Sequence, residues 1–140
     1  MAPNIREAVG ADHAAVLALN NGAVPHVNAL DAARFDALVG YATYFRVAED
    51  DTGIAGFVLC VAPGTPYWSD NYAWFAARHG AAPDAFVYLD RVVVAPRARR
   101  AAVLSTLTAP TLFAACAGAP YAAASSRILS LPQIHHAGVV

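Results

Sequence analysis

Apolar and polar positions in the first two thirds of the chain change rhythm several times, and each change predicts an element. Asn4 to Val9 reads as a short strand. Asp12 is placed to cap a helix running to about Asn20, and Asn20-Asn21-Gly22 is expected to end it. After the break at Val24-Pro25-His26, a second helix is expected from Asn28 or Asp31, with Phe35, Leu38 and Val39 on one face and Gly40 closing it. Thr43 to Glu49 and Ile54 to Ala62 are β-favouring runs joined by Asp50-Asp51-Thr52-Gly53, a hairpin signal.

Pro63 to Pro83 is rich in turn residues yet holds Tyr67, Trp68, Tyr72, Trp74 and Phe75, too aromatic for a simple linker. A short helix is expected from Ser69 to His79, capped by Ser69 or Asp70 and stopped by Gly80. Ala85 to Val94 follows as a long apolar strand. Strict alternation would put Phe86, Tyr88, Asp90, Val92 and Val94 on one face and Val87, Leu89, Arg91 and Val93 on the other. After Ala95-Pro96 come Arg97, Arg99 and Arg100, and then an Ala/Leu segment that starts as a helix.

Beyond Arg100 the pattern changes again. From Ala101 to Val140 the one permanent charge is Arg127, although a helix lying on a sheet should show polar residues on its outer face. Pro110, Gly118 and Pro120 make Ala101 to Ser126 a poor membrane span, and no membrane partner is expected. A helix covered by a partner chain, a non-catalytic relative that has lost its cofactor face, and a change of reading frame near codon 101 all remain open as explanations.

Composition narrows the picture. The 140 residues suit a single domain spanning 1–140. With 58% hydrophobic and 14% charged residues, the chain is short of surface charge for a monomer, so a homodimer is expected. A formal net charge of −1 argues against nucleic-acid binding. Cys60 and Cys116 lie in apolar runs without metal or redox spacing, which suits buried thiols in a reducing, cytoplasmic compartment. Every basic residue is arginine, an association with GC-rich bacterial genes, and Met1 to Gly10 lacks the apolar core of a signal peptide.

Candidate chemistry concentrates between Phe86 and Ser105. A strand leading through an arginine-rich turn into a helix suits a pyrophosphate, because a helix start offers unpaired N–H groups and about half a unit of positive charge. This segment resembles the cofactor motif of the GNAT superfamily, the acyl-CoA-dependent N-acyltransferases: Val94-Ala95-Pro96 matches the strand exit and Arg99 the motif's arginine. Arg100, Ala102 and Leu104 stand where the family commonly has glycine, or glycine or alanine at the last place. Alanine in a left-handed conformation there would cost roughly 1–2 kcal/mol.

The resemblance covers Asn4 to Arg99 and implies an α/β (α+β) fold: a mixed, mostly antiparallel sheet flanked by helices, incomplete at its C-terminal end. Gly118-Ala119-Pro120 with Tyr121 to Ile128 resembles the family's later loop and fifth strand. By resemblance, the function is N-acetyltransfer from acetyl-CoA to a primary amine of a small molecule or peptide. The alternative is an inactive dimeric domain of the same fold with weak or no CoA binding.

The resemblance also implies site residues. Main chain of Val92, Val93 and Val94 would pair with the pantetheine arm. Arg97, Arg99 and Arg100, with the amides of Ala101, Ala102, Val103, Leu104 and Ser105, would hold the pyrophosphate. Asn20 and Asn21 would line the acceptor cleft. From the residues themselves, Trp68, Asn71, Tyr72 and Trp74 form an acceptor wall whose rings suit a cationic amine, or else ordinary core or dimer packing. Asp90, interrupting an apolar strand, is the candidate base, or else is paired structurally with an arginine such as Arg91. Tyr121 is the nearest late tyrosine for the general-acid role common in the family. His135 and His136 diverge on a helix and lack a third ligand, so no metal is expected.

Overall fold

The structure is a computed structural model that describes residues 3–82, 85–99, 103, 107 and 122–124. In chain order the elements are β1 (Asn4–Glu7), α1 (His13–Gly22), α2 (Ala32–Tyr41), β2 (Ala42–Asp50), β3 (Gly53–Val61), α3 (Asp70–His79), β4 (Val87–Val94) and β5 (Ala122–Ala124). Short 3-10 turns at Gly10–Asp12 and Pro96–Ala98 precede α1 and follow β4. The strands form one sheet in sequential order; β1 to β4 are antiparallel neighbours, and β5 runs parallel to β4. This is the mixed, mostly antiparallel sheet with flanking helices that the sequence predicts.

Local chemistry explains most boundaries. Asp31 caps α2 by accepting from Arg34 N at 2.7 Å, and Ser69 caps α3 by accepting from Tyr72 N at 3.3 Å. Gly80 ends α3 at φ 87°, a left-handed conformation that favours glycine. Gly53, at φ 129°, closes the β2–β3 hairpin, where Asp50 accepts from Thr52 N at 2.9 Å.

Two expectations are corrected, and a third holds. Asp12 makes no side-chain cap on α1; its carboxylate reaches back to Val9 N at 2.8 Å and to Arg6 at 2.8 and 2.9 Å. The first helix ends at Gly22, within the Asn20-Asn21-Gly22 stretch expected to close it, and both side-chain amides bond forward into the next loop. Gly40 lies within α2, which ends at Tyr41.

Two apolar layers enclose the sheet. On one face Val16 of α1, Phe35 and Leu38 of α2 and Tyr72 of α3 pack on Phe57, Leu59 and Tyr88. The other face, with Ala55, Val58 and Leu89, is covered by Ala95, Ala98, Val103 and Leu107. Val103 and Leu107, with helical backbone one turn apart, lie over Gly56: a Cβ there would come within 3.2 Å of Val103 Cγ1 and 3.1 Å of Leu107 Cδ1. The apolar run of β4 is thus explained by burial on both faces.

The strict alternation expected for β4 does not hold. Leu59 pairs with Arg91 and the next residue, Cys60, with Leu89, so Asp90 is an extra residue in β4, a β-bulge. Beyond it the faces exchange: Val93 joins Tyr88 in the first layer, and Val92 joins Leu89 in the second.

Candidate functional site

The bulge builds the site. Neighbouring residues on a regular strand point to opposite faces, but the extra residue brings Asp90 and Arg91 together, with Arg91 Nε donating to Asp90 Oδ2 at 2.7 Å. Tyr67, in the loop before α3, donates from Oη to Asp90 Oδ1 at 2.6 Å. Arg91 Nη2 lies 3.4 Å from the same Oη, and Nη1 donates to Asn20 Oδ1 at 2.9 Å and toward Asn28 O at 3.4 Å. Tyr67, Asp90, Arg91 and Asn20 are all buried, the last completely.

The cluster is neutral as a pair and satisfied at each charged group, as burial requires. Burial tends to lower the Arg91 guanidinium, yet the charge of Asp90 and its hydrogen bonds raise it above the ordinary arginine value. Burial, and then the Asp90 charge, push the Tyr67 phenol well above the usual tyrosine range, so it remains a donor. Burial also pushes the neighbouring Tyr88 phenol up, to about 12.

Asp90 therefore has both carboxylate oxygens occupied, which is the arginine-paired arrangement that the sequence left open beside the catalytic one. Asn20 and Asn21 meet at the end of α1, but they build the following loop. Asn20 Nδ2 donates to Asn28 O at 3.0 Å, and the Asn21 amide exchanges two hydrogen bonds of 2.9 Å with the Leu30 backbone.

The aromatic residues divide. Trp68, 43% exposed, packs edge-on against Tyr67 at 4.9 Å between ring centroids, and so sits beside the cluster. Arg34 lies over its ring at 5.6 Å. Tyr72 is buried, its hydroxyl bonded to Ala62 O at 2.5 Å and to Thr65 Oγ1 at 3.0 Å, and therefore presents no face to an acceptor. Trp74 stands out from α3, 53% exposed, with Arg78 over its ring at 3.9 Å; Asn71 is exposed in the first turn of the same helix.

The cofactor positions divide too. Val92, Val93 and Val94 form the end of β4. Pairing of β5 with β4 spans Val87 to Leu89, so among the described residues no strand lies beside Arg91 to Val94 on that edge. Arg97 forms an ion pair with Asp50, holding that carboxyl below the ordinary range, and donates to Ile54 O at 3.3 Å. It fastens the turn after β4 to the β2–β3 hairpin. Arg99 is exposed and makes no ion pair among the described residues. The side chain of Val103 belongs to the core. Arg100, Ala101, Ala102, Leu104, Ser105 and Tyr121 lie outside the described residues, as do His135, His136 and Cys116; Cys60 is a buried thiol.

Tyr67 and Arg91 were not among the expected site residues. Arg91 carried a signal, a charge beside Asp90 within an apolar strand. Tyr67 carried none, because nothing local tells which ring of an aromatic loop will turn inward. Among the described residues, no group of three His, Cys, Asp or Glu side chains could hold a metal, and no helix is long and apolar enough to cross a membrane.

No protein-family model and no curated protein matches the chain. Solved structures do. The chain is similar to Ard1 from Thermoplasma volcanium, with a TM-score of 0.61 and 18% identity over 84% of this chain and 66% of that one. A GNAT family acetyltransferase from Brucella melitensis in complex with acetyl-CoA gives a TM-score of 0.61 and 18% identity, covering 87% and 74%. Chaetomium thermophilum Naa20 in complex with a bisubstrate analogue gives 0.60 and 25%, covering 86% and 60%. The chain thus spans just under two thirds of the Ard1 chain and three fifths of the Naa20 chain. These likenesses show that the chain has the fold of the GNAT acetyltransferases.

Proposed function

We propose that the protein is an N-acetyltransferase that moves an acetyl group from acetyl-CoA to a primary amine of a small molecule or peptide. One observation carries the reading: immediately beyond the bulge, no strand among the described residues lies beside β4 at Arg91–Val94 on the edge away from β3. A strand edge offers backbone donors and acceptors to an extended amide-bearing arm, so main chain at Val92, Val93 and Val94 suits pantetheine. Arg99 is exposed at the turn where a pyrophosphate would lie, with Arg100 and the amides of Ala101 to Ser105 following it in sequence. Arg97 contributes by fixing that turn to the hairpin. Bound acetyl-CoA would supply the acetyl group already activated as a thioester. The chain's own part is to align that arm along β4 and to present the amine from the side of Asn20, Asn21 and Trp68, with Asp90 holding Arg91.

A homodimer in a bacterial cytoplasm belongs to the same proposal, the dimer supported by the scarcity of charge, the source by the all-arginine basic residues and the compartment by cysteines without metal or redox spacing; light scattering tests the oligomer. Isothermal titration tests the core of it. Binding of CoA and acetyl-CoA well below millimolar concentration is expected, followed by acetyl-CoA-dependent thiol release with at least one amine from a panel of polyamines, amino acids and peptides. Absence of binding up to millimolar concentration would remove the reading. Binding with no turnover of any amine would favour the inactive alternative.

A further inference from the structure

We infer that Arg91 is a positioning residue for the acceptor: its guanidinium fastens the loop of residues 23–31 to the β4 bulge, and Asp90 and Tyr67 hold the guanidinium in place. The inference rests on the transferase reading only in taking that loop as a wall of the acceptor cleft.

The geometry is that of a clamp. A planar guanidinium spreads its donors over three nitrogens in a rigid fork, whereas the three donors of an ammonium share one nitrogen on a flexible stem. Here Nε takes Asp90, Nη2 faces Tyr67 Oη, and Nη1 reaches Asn20 Oδ1 and Asn28 O, so a single group joins β4, the loop before α3, the end of α1 and the loop that follows it. Asn20 Nδ2 closes a second bond onto Asn28 O, so Arg91 and Asn20 grip the same carbonyl. Two residues further on, Asn21 brackets the Leu30 backbone, and the Leu30 side chain enters the core. Elsewhere the loop is tied down by a turn bond from His26 N to Ala23 O at 2.8 Å and by Ala23 and Val27 packing at the margin of the core, while Val24, His26, Asn28 and Ala29 are exposed. Asn28 and Leu30 are therefore fixed points of its course, and Arg91 acts on the first of them both directly and by holding Asn20.

Amide hydrogen exchange tests the clamp without reference to catalysis. In Arg91→Lys and in Asn20→Ala, exchange across residues 23–31 is expected to rise on the order of tenfold, while Phe57 to Val61 in β3 stays within about twofold of the parent. Kinetically, KM for an amine from the panel above should rise about tenfold with kcat and acetyl-CoA affinity little changed, Arg91→Lys being milder than Arg91→Gln. Unchanged exchange in the loop, or a rise spread evenly over the sheet, would overturn the inference. So would a fall in kcat with an unchanged acceptor KM, which would place Asp90 and Arg91 in the chemical step. Where an Arg91 variant does not fold, Tyr67→Phe, which weakens the hold on the guanidinium without touching Asn28, decides the matter by the same selective rise in exchange across residues 23–31. If the parent ignores acetyl-CoA yet the loop loosens selectively, the clamp stands and the transferase reading falls.

Discussion

Asp12 shows how a single side chain can couple folding to pH. Hydrogen bonds from Arg6 hold its carboxyl at about 2, and the Val9 amide helps. Because the folded state lowers this pKa, the contribution is present above the ordinary carboxylate range and is lost as pH falls toward 2. Asp12→Ala is expected to cost about 1 kcal/mol at neutral pH, and the gap to the parent should close between roughly pH 4 and 2 in urea denaturation. A gap that stays constant across that range would mean Asp12 acts by packing. At this scale the sequence was informative about types and weak about partners. Asp90 and Asn20 stood out as polar residues among apolar neighbours, but whether Asp90 was a free base or a bound counter-ion depended on the bulge that turns Arg91 toward it and on Tyr67, which lies 23 residues away in the chain. Likewise Arg97, expected on a phosphate, is paired with Asp50 across 47 residues.

Elements were more legible, because hydrophobic rhythm and capping are local. Ser69 and Gly80 bound α3 where the sequence put them, and Asp31 starts α2. The bulge was not legible. An extra residue shows itself only against a partner strand, and the alternation read from β4 alone ran straight through it. Packing between elements also explains Gly56. A Cβ there would stand 2.9 Å from Val93 O, a backbone atom with little freedom to move, and against Val103 and Leu107 besides. Gly56→Ala should therefore destabilise the protein by about 1–3 kcal/mol, read as a lower urea midpoint with an unchanged slope. A neutral result would show that residues 103 and 107 do not seat on the sheet as described.

For the whole molecule, the sheet order places the end of β4 between a covered face and an edge that no strand among the described residues pairs with, and the proposed ligand should stabilise that arrangement. At a hundredfold excess over its Kd, acetyl-CoA is expected to add about 2.7 kcal/mol to the unfolding free energy, seen as a rise in Tm. Replacing Arg99 by alanine should shrink that rise at equal ligand concentration and leave the Tm of the ligand-free protein unchanged. The amino-acid sequence by itself determined the succession of strands and helices through Val94, the hairpin at Gly53 and the basic turn after the strand, since each follows from neighbours within a few residues. Tertiary structure alone decided that Asp90 and Arg91 share one face, that Tyr67 and Asn20 complete their bonds, and that Arg97 belongs to Asp50. The reason is physical: a buried charge is tolerated only where distant groups converge to satisfy it, and that convergence belongs to the folded chain rather than to any stretch of it.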